Sequence, residues 1–149
     1  MIKDDVIFLI DDDYEVETLV METFKQLKEK CEVVIEPFNE LDSAMKRGCE
    51  LKEKVKCCIY DPVLNNQDAL DVVVLRNETI TRINTILENV NPQMKIIVLT
   101  NMNPINGKKL QAELQNKIGA HLAGFIYKHE YVSDKLNVVE LTNKIISYL

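Results

Sequence analysis

The stretch Lys56-Cys57-Cys58-Ile59-Tyr60-Asp61-Pro62 decides how the chain is read. Residues of strand character, Cys57 to Tyr60, run straight into an aspartate, and a proline and a polar loop (Leu64, Asn65, Asn66, Gln67) follow at once. A buried strand that ends on a carboxylate places it at the carboxyl edge of the sheet. In open α/β sheets that edge is where ligands and chemistry sit. Any residue that acts with Asp61 must reach the same edge.

Four other strands are expected. Val6-Ile7-Phe8-Leu9-Ile10 is a continuous apolar run, the habit of a strand buried on both faces of a parallel sheet, and it ends on Asp11-Asp12-Asp13. Val16, Leu19, Val20, Phe24 and Leu27 then recur at the spacing of one helical face. The acidic cluster thus lies where a strand meets a helix, a place where aspartates also serve as N-caps, and Asp13 is assigned to that duty. Cys31 to Pro37 reads as a second strand. Leu41, Ala44, Met45, Gly48 and Cys49 give a helical stripe, with Asn39 as its cap.

After Asp61 and its loop, Asp68 to Val90 has a helical pattern, with Leu70, Val73, Ile80, Ile83, Leu87 and Val90 inward. The polar patch Arg76-Asn77-Glu78 is either a surface turn of that helix or a break in it. Asn91-Pro92 ends the helix, because proline disfavours helix in the residue before it. Lys95 to Thr100 is a fourth buried strand. Pro104 and Gly107 punctuate the loop after it, and Leu110, Leu114 and Ile118 mark a helix stopped near Gly119. Ala123 to Tyr127 is a short fifth strand ending on Lys128. Ser133 caps a last helix that turns Leu136, Val139, Ile145 and Ile146 inward.

Five alternations of strand and helix argue for one α/β domain, residues 1–149, with a parallel sheet. Right-handed crossovers bring all strand ends to one edge. That edge carries Asp11 and Asp12, Asp61, Thr100 and Lys128. A net charge of −6, with no dense basic run, speaks against a nucleic-acid surface. No apolar run is long enough to span a bilayer. The four cysteines form no CxxC pair and there are two histidines, so a zinc site has little support. Cys57 and Cys58 read as packing residues, His121 and His129 as surface residues. Free cysteines without a signal peptide point to the cytoplasm.

Carboxylates converging in one crevice repel, by several kcal/mol for a pair about 4 Å apart at an effective dielectric near 20. They are tolerable around a hard divalent cation, and magnesium prefers such oxygen ligands. A lysine opposite supplies a positive point charge suited to phosphate, and a threonine hydroxyl offers a donor. Acid pair, lone aspartate, hydroxyl and ammonium together describe phosphoryl transfer onto a carboxylate nucleophile.

With these residues in order, the chain resembles the receiver (CheY-like) domains of two-component response regulators over essentially its whole length. FLIDDD resembles the family's acid pair at Asp11 and Asp12, IYDPVLNNQDA its phospho-acceptor motif at Asp61, IVLTN its hydroxyl at Thr100, and GFIYKH its lysine at Lys128. The resemblance implies a flavodoxin-like three-layer sandwich, a five-stranded parallel sheet of order 2-1-3-4-5 with helices on both faces. It implies that Asp61 accepts a phosphoryl group from a sensor histidine kinase, a phosphotransfer protein or a small phosphodonor, without turnover of an external substrate. Asp12 would ligate Mg2+ directly, Asp11 through water, and Asp61 and the backbone carbonyl of Val63 would complete the protein's ligands. Thr100 and Lys128 would bind phosphoryl oxygens, and Thr100 and Phe125 would form the switch that reshapes a face for a downstream protein target, with a homodimer possible through that face.

The sequence departs from the family at Asn65 (usually proline), Asn101 (usually alanine or glycine), Asp68-Ala69 (usually Asp-Gly) and Lys128-His129 (usually Lys-Pro). A cis bond without proline costs about 2.5–4 kcal/mol, so a trans Lys128-His129 bond is expected. Val63 and Met102, both apolar, cannot orient an attacking water, so the aspartyl phosphate is expected to hydrolyse slowly. The rival readings are a degenerate pseudo-receiver that docks proteins without phosphorylation, a magnesium phosphohydrolase, and a flavin or nucleotide binder. The second lacks an aspartate at Val63, and the third lacks a glycine-rich phosphate loop. The chain stops at Leu149, near the end of its last helix, which fits a single-domain receiver or the receiver piece of something longer.

Overall fold

The computed structural model describes residues 4–11, 17–62, 72–132 and 137–149. Five strands are present: β1 (Val6–Ile10), β2 (Val34–Phe38), β3 (Val55–Tyr60), β4 (Lys95–Thr100) and β5 (Leu122–Tyr127). Between and after them run α1 (Glu17–Cys31), α2 (Leu41–Leu51), α3 (Val72–Asn89), α4 (Pro104–Ile118) and α5 (Val138–Tyr148). The strands pair in parallel in the order β2-β1-β3-β4-β5. That is the doubly wound, flavodoxin-like arrangement implied by the family resemblance, and the parallel pairing is that expected from the alternation of strand and helix.

Alternation along each strand divides the core into two layers. Phe8, Ile10, Cys58, Tyr60, Ile96 and Val98 face the side covered by α2, α3 and α4. Ile7, Leu9, Cys57, Ile59, Ile97 and Leu99 face α1 and α5. All six strand residues on each side are buried, and each aliphatic one contributes about 1.5–3 kcal/mol by leaving water. Because both faces are covered, these strands read as unbroken apolar runs rather than as alternating ones.

Several local expectations need correction. Cys31 closes α1, and β2 begins only at Val34. Glu40, not Asn39, is the N-cap of α2; its carboxylate accepts from the Ser43 hydroxyl at 3.0 Å. The Arg76-Asn77-Glu78 patch is a turn of a continuous α3. Pro104 and Gly107 lie inside α4, Pro104 in its first turn, where a missing N–H costs nothing. Cys49, Val73 and Val139 are exposed, while Leu75, Thr79, Ile86 and Leu141 take inward positions. α5 starts at Val138 with Asn137 as its N-cap, whereas Ser133, expected to cap it, lies outside the described residues, as does Leu136. Gly119 stops α4 at φ 51°, a conformation that glycine adopts cheaply. Among the described residues no helix is long and apolar enough to cross a membrane.

Candidate phosphoryl-acceptor site

Strand register brings the site together. Ile10 pairs with Tyr60, so the residues that follow, Asp11 and Asp61, leave adjacent strands side by side. Hydrogen bonding continues one residue past the strands: the Asp61 N–H donates to the Ile10 carbonyl at 2.9 Å and the Asp11 N–H to the Phe38 carbonyl at 3.1 Å. The backbone of both acids is therefore fixed by the sheet rather than by a loop. On the other side Thr100 pairs with Tyr127, so Lys128 leaves the sheet at the end of β5.

Lys128 reaches inward to both acids. Its Nζ stands 2.8 Å from Asp61 Oδ2 and 2.8 Å from Asp11 Oδ2. The lysine is fully buried, and the two carboxylate side chains are 2% and 5% exposed. The contact with Asp61 is a charge-assisted hydrogen bond, and that with Asp11 is a close ion pair. Burial by itself lowers the ammonium's pKa, but the attraction of the Asp61 and Asp11 carboxylates outweighs it. The pKa is raised above the ordinary lysine value and the group stays charged.

The strand leading to Asp61 carries no competing nucleophile. Burial pushes the Cys57 thiol up to about 12 and Cys58 well above its usual value, and it holds the Tyr60 phenol at about 12 against the pull of Arg82. Both cysteines are packing residues, as expected. Thr100 is fully buried, and its hydroxyl oxygen accepts from the Met102 N–H at 3.0 Å, which leaves its own O–H available as a donor. Phe125 is half-buried against the α4-side core.

Of the expected site residues, Asp11, Asp61 and Lys128 are in direct contact. Asp12 and Val63 lie outside the described residues, as do Asp13, Asn65 and Asp68-Ala69. Among the described residues no peptide is cis, so Lys128-His129 is trans, and a 3-10 turn, Lys128–Tyr131, begins at the lysine itself. His129 is exposed; the ring of His121 is half-buried, with Nδ1 3.2 Å from the Met94 carbonyl. Sequence reading gave no role to Tyr127, whose ring lies over Gly107.

Neither a scan of protein-family models nor a search of curated proteins finds a match. Solved structures do share the fold. The chain is similar to the pilus assembly protein CpaE from Caulobacter crescentus CB15, with a TM-score of 0.62 at 11% identity over 97% of this chain and 98% of that one. It is similar to the receiver domain of a sensor histidine kinase from Pseudomonas aeruginosa PAO1, solved with a magnesium ion coordinated in its active-site cleft. There the TM-score is 0.51 at 14% identity, over 97% of both chains. A response regulator in red light signalling of R. palustris gives 0.51 at 12% identity, over 95% of this chain and 89% of that one. The fold is that of receiver domains. A fold carries many functions, so activity must be argued from the site.

Proposed function

We propose that this chain is a phospho-accepting receiver of two-component signalling, with Asp61 as the acceptor. The observation that carries the reading is the buried ammonium of Lys128, 2.8 Å from both Asp61 and Asp11 at the carboxyl edge of the sheet. An Asp61 oxygen attacks phosphorus on a phosphohistidine of a sensor kinase or phosphotransfer protein. The P–N bond breaks, and its electron pair returns to the imidazole. A small phosphodonor serves in the same way through a P–O bond. Lys128 takes one phosphoryl oxygen, and the Thr100 hydroxyl turns from Met102 to another. Thr100 and Phe125 then carry the change to a face read by a downstream protein. No external substrate turns over, and the reducing cytoplasm suits the free thiols.

Two carboxylates against one ammonium leave negative charge in excess, and hard oxygen donors are the set magnesium prefers. Asp11 and Asp61 would hold the ion, with Asp12 and the Val63 carbonyl as the further ligands the family resemblance implies. Bound magnesium neutralises charge on the phosphoryl oxygens.

Intact-mass measurement after incubation with acetyl phosphate and magnesium tests the proposal. One added phosphate, abolished by Asp61→Asn, supports it. An unmodified mass, with no response to beryllofluoride and magnesium, favours the pseudo-receiver that docks proteins without phosphorylation.

A further inference from the structure

A short hydrogen-bonded track joins Thr100 to α4. The Thr100 hydroxyl oxygen accepts from the Met102 N–H at 3.0 Å. The next residue, Asn103, caps α4: its side-chain oxygen accepts from the Ile105 N–H at 2.8 Å, and its carbonyl accepts from the Gly107 N–H at 2.7 Å. Glycine weakens a helix relative to alanine, so Gly107 calls for a reason. The reason lies across the gap to β5. A methyl group on Gly107 would stand 2.5 Å from Tyr127 Cε1 and 2.6 Å from its hydroxyl oxygen. Only a glycine lets the Tyr127 ring rest on the backbone of α4.

The seat is imperfect. The Tyr127 hydroxyl is buried there without a hydrogen-bond partner among the described residues, whereas a buried tyrosine hydroxyl usually finds one. Swinging outward would restore hydrogen bonding to water and forfeit apolar contact. Opposed terms of this kind give a side chain two accessible positions. The Tyr127 ring also lies 5.4 Å from Phe125 and 5.7 Å from His129, centroid to centroid, so its movement is felt along the end of β5.

We propose that Tyr127 is a second aromatic of the switch, seated on Gly107 in the resting state and released when the Thr100 hydroxyl leaves Met102 for a phosphoryl oxygen. Losing the Met102 hydrogen bond frees the residues that position Asn103, and with them the first turns of α4 and the glycine notch. The proposal rests on the receiver reading and names the part of the molecule that reports it.

Nuclear magnetic resonance of protein with labelled tyrosine rings and labelled backbone amides, with Tyr127 assigned through Tyr127→Phe, tests it on the full chain. Beryllofluoride with magnesium is expected to shift the Tyr127 ring signal. Thr100→Val, which removes the acceptor of the Met102 N–H, is expected to shift it without ligand. Gly107→Ala, which fills the notch, is expected to shift it as well and to raise beryllofluoride affinity several-fold. A ligand response at the Asp61 and Lys128 amides with an unmoved Tyr127 signal overturns the proposal alone. No response at those amides overturns the receiver reading and the proposal together. Thr100→Val leaves the notch intact, so an unmoved Tyr127 in that variant overturns the coupling even if Gly107→Ala does not fold.

Discussion

The Nζ of Lys128 and the Oδ2 of Asp61 stand 2.8 Å apart although β4 runs between their strands. Neighbouring strands are about 4.8 Å apart, so the lysine side chain, the hydrogen bond and the aspartate side chain together bridge roughly two such spacings. Ordering a lysine costs up to about 2 kcal/mol of rotamer entropy. A charge-assisted hydrogen bond to Asp61 and an ion pair with Asp11 offset that cost, and they hold a cation where phosphoryl oxygens would arrive.

Removing the cation leaves Asp61 and Asp11 buried without it. Lys128→Met is expected to destabilise the metal-free protein by about 3–5 kcal/mol, and magnesium is expected to narrow the gap. The folded pKa of Lys128 is raised, so its contribution is fully present below the unfolded lysine value, near 10.4, and is lost as pH rises through the higher folded value. Urea midpoints of the two proteins should keep a constant separation from about pH 7 to about pH 10 and converge above it. A separation that shrinks between neutral pH and pH 10 contradicts this assignment.

Thr100→Val removes the acceptor for the buried Met102 N–H, at a cost of about 1–3 kcal/mol. Thr100→Ser keeps the hydroxyl and should retain most of the stability and of the beryllofluoride response, whereas Thr100→Val should lose both. Thermal melts with and without the ligand read the difference.

The four thiols should divide by burial. Cys57 and Cys58 are fully buried, with Cys57 pushed up to about 12, while Cys49 is exposed. Maleimide at neutral pH should label Cys49 promptly and leave Cys57 and Cys58 untouched until denaturant is added. Peptide mapping that finds label on Cys57 or Cys58 in the folded protein would falsify this packing.

Phosphate on Asp61 should be long-lived. Met102, two residues past Thr100, is apolar and 7% exposed, so it cannot hold a water in line for attack. Loss of the adduct from purified protein followed by mass should take far longer than seconds; decay within seconds would contradict the expectation.

Much of the frame was legible because parallel strands covered on both faces leave continuous apolar runs. β1 and β4 have the bounds their sequences suggest, and the acids and the lysine fall at strand ends. Parallel connectivity then brings those ends to one edge. What stayed hidden depends on where neighbouring elements stop. Val73 and Val139 have the right spacing for a core but lie near helix ends, beyond the cover of adjacent elements. Gly107 looked like loop punctuation, because its reason for sitting in a helix is Tyr127, a residue remote in sequence. No local pattern encodes that contact.

Borohydride reduces an aspartyl phosphate to homoserine, which marks the acceptor covalently. After treatment with acetyl phosphate, magnesium and borohydride, peptide mass spectrometry should find homoserine at position 61 and nowhere else, and only when donor and metal are both present. Homoserine at another aspartate, or none under any condition while Asp11, Asp61 and Lys128 remain intact, would contradict the account.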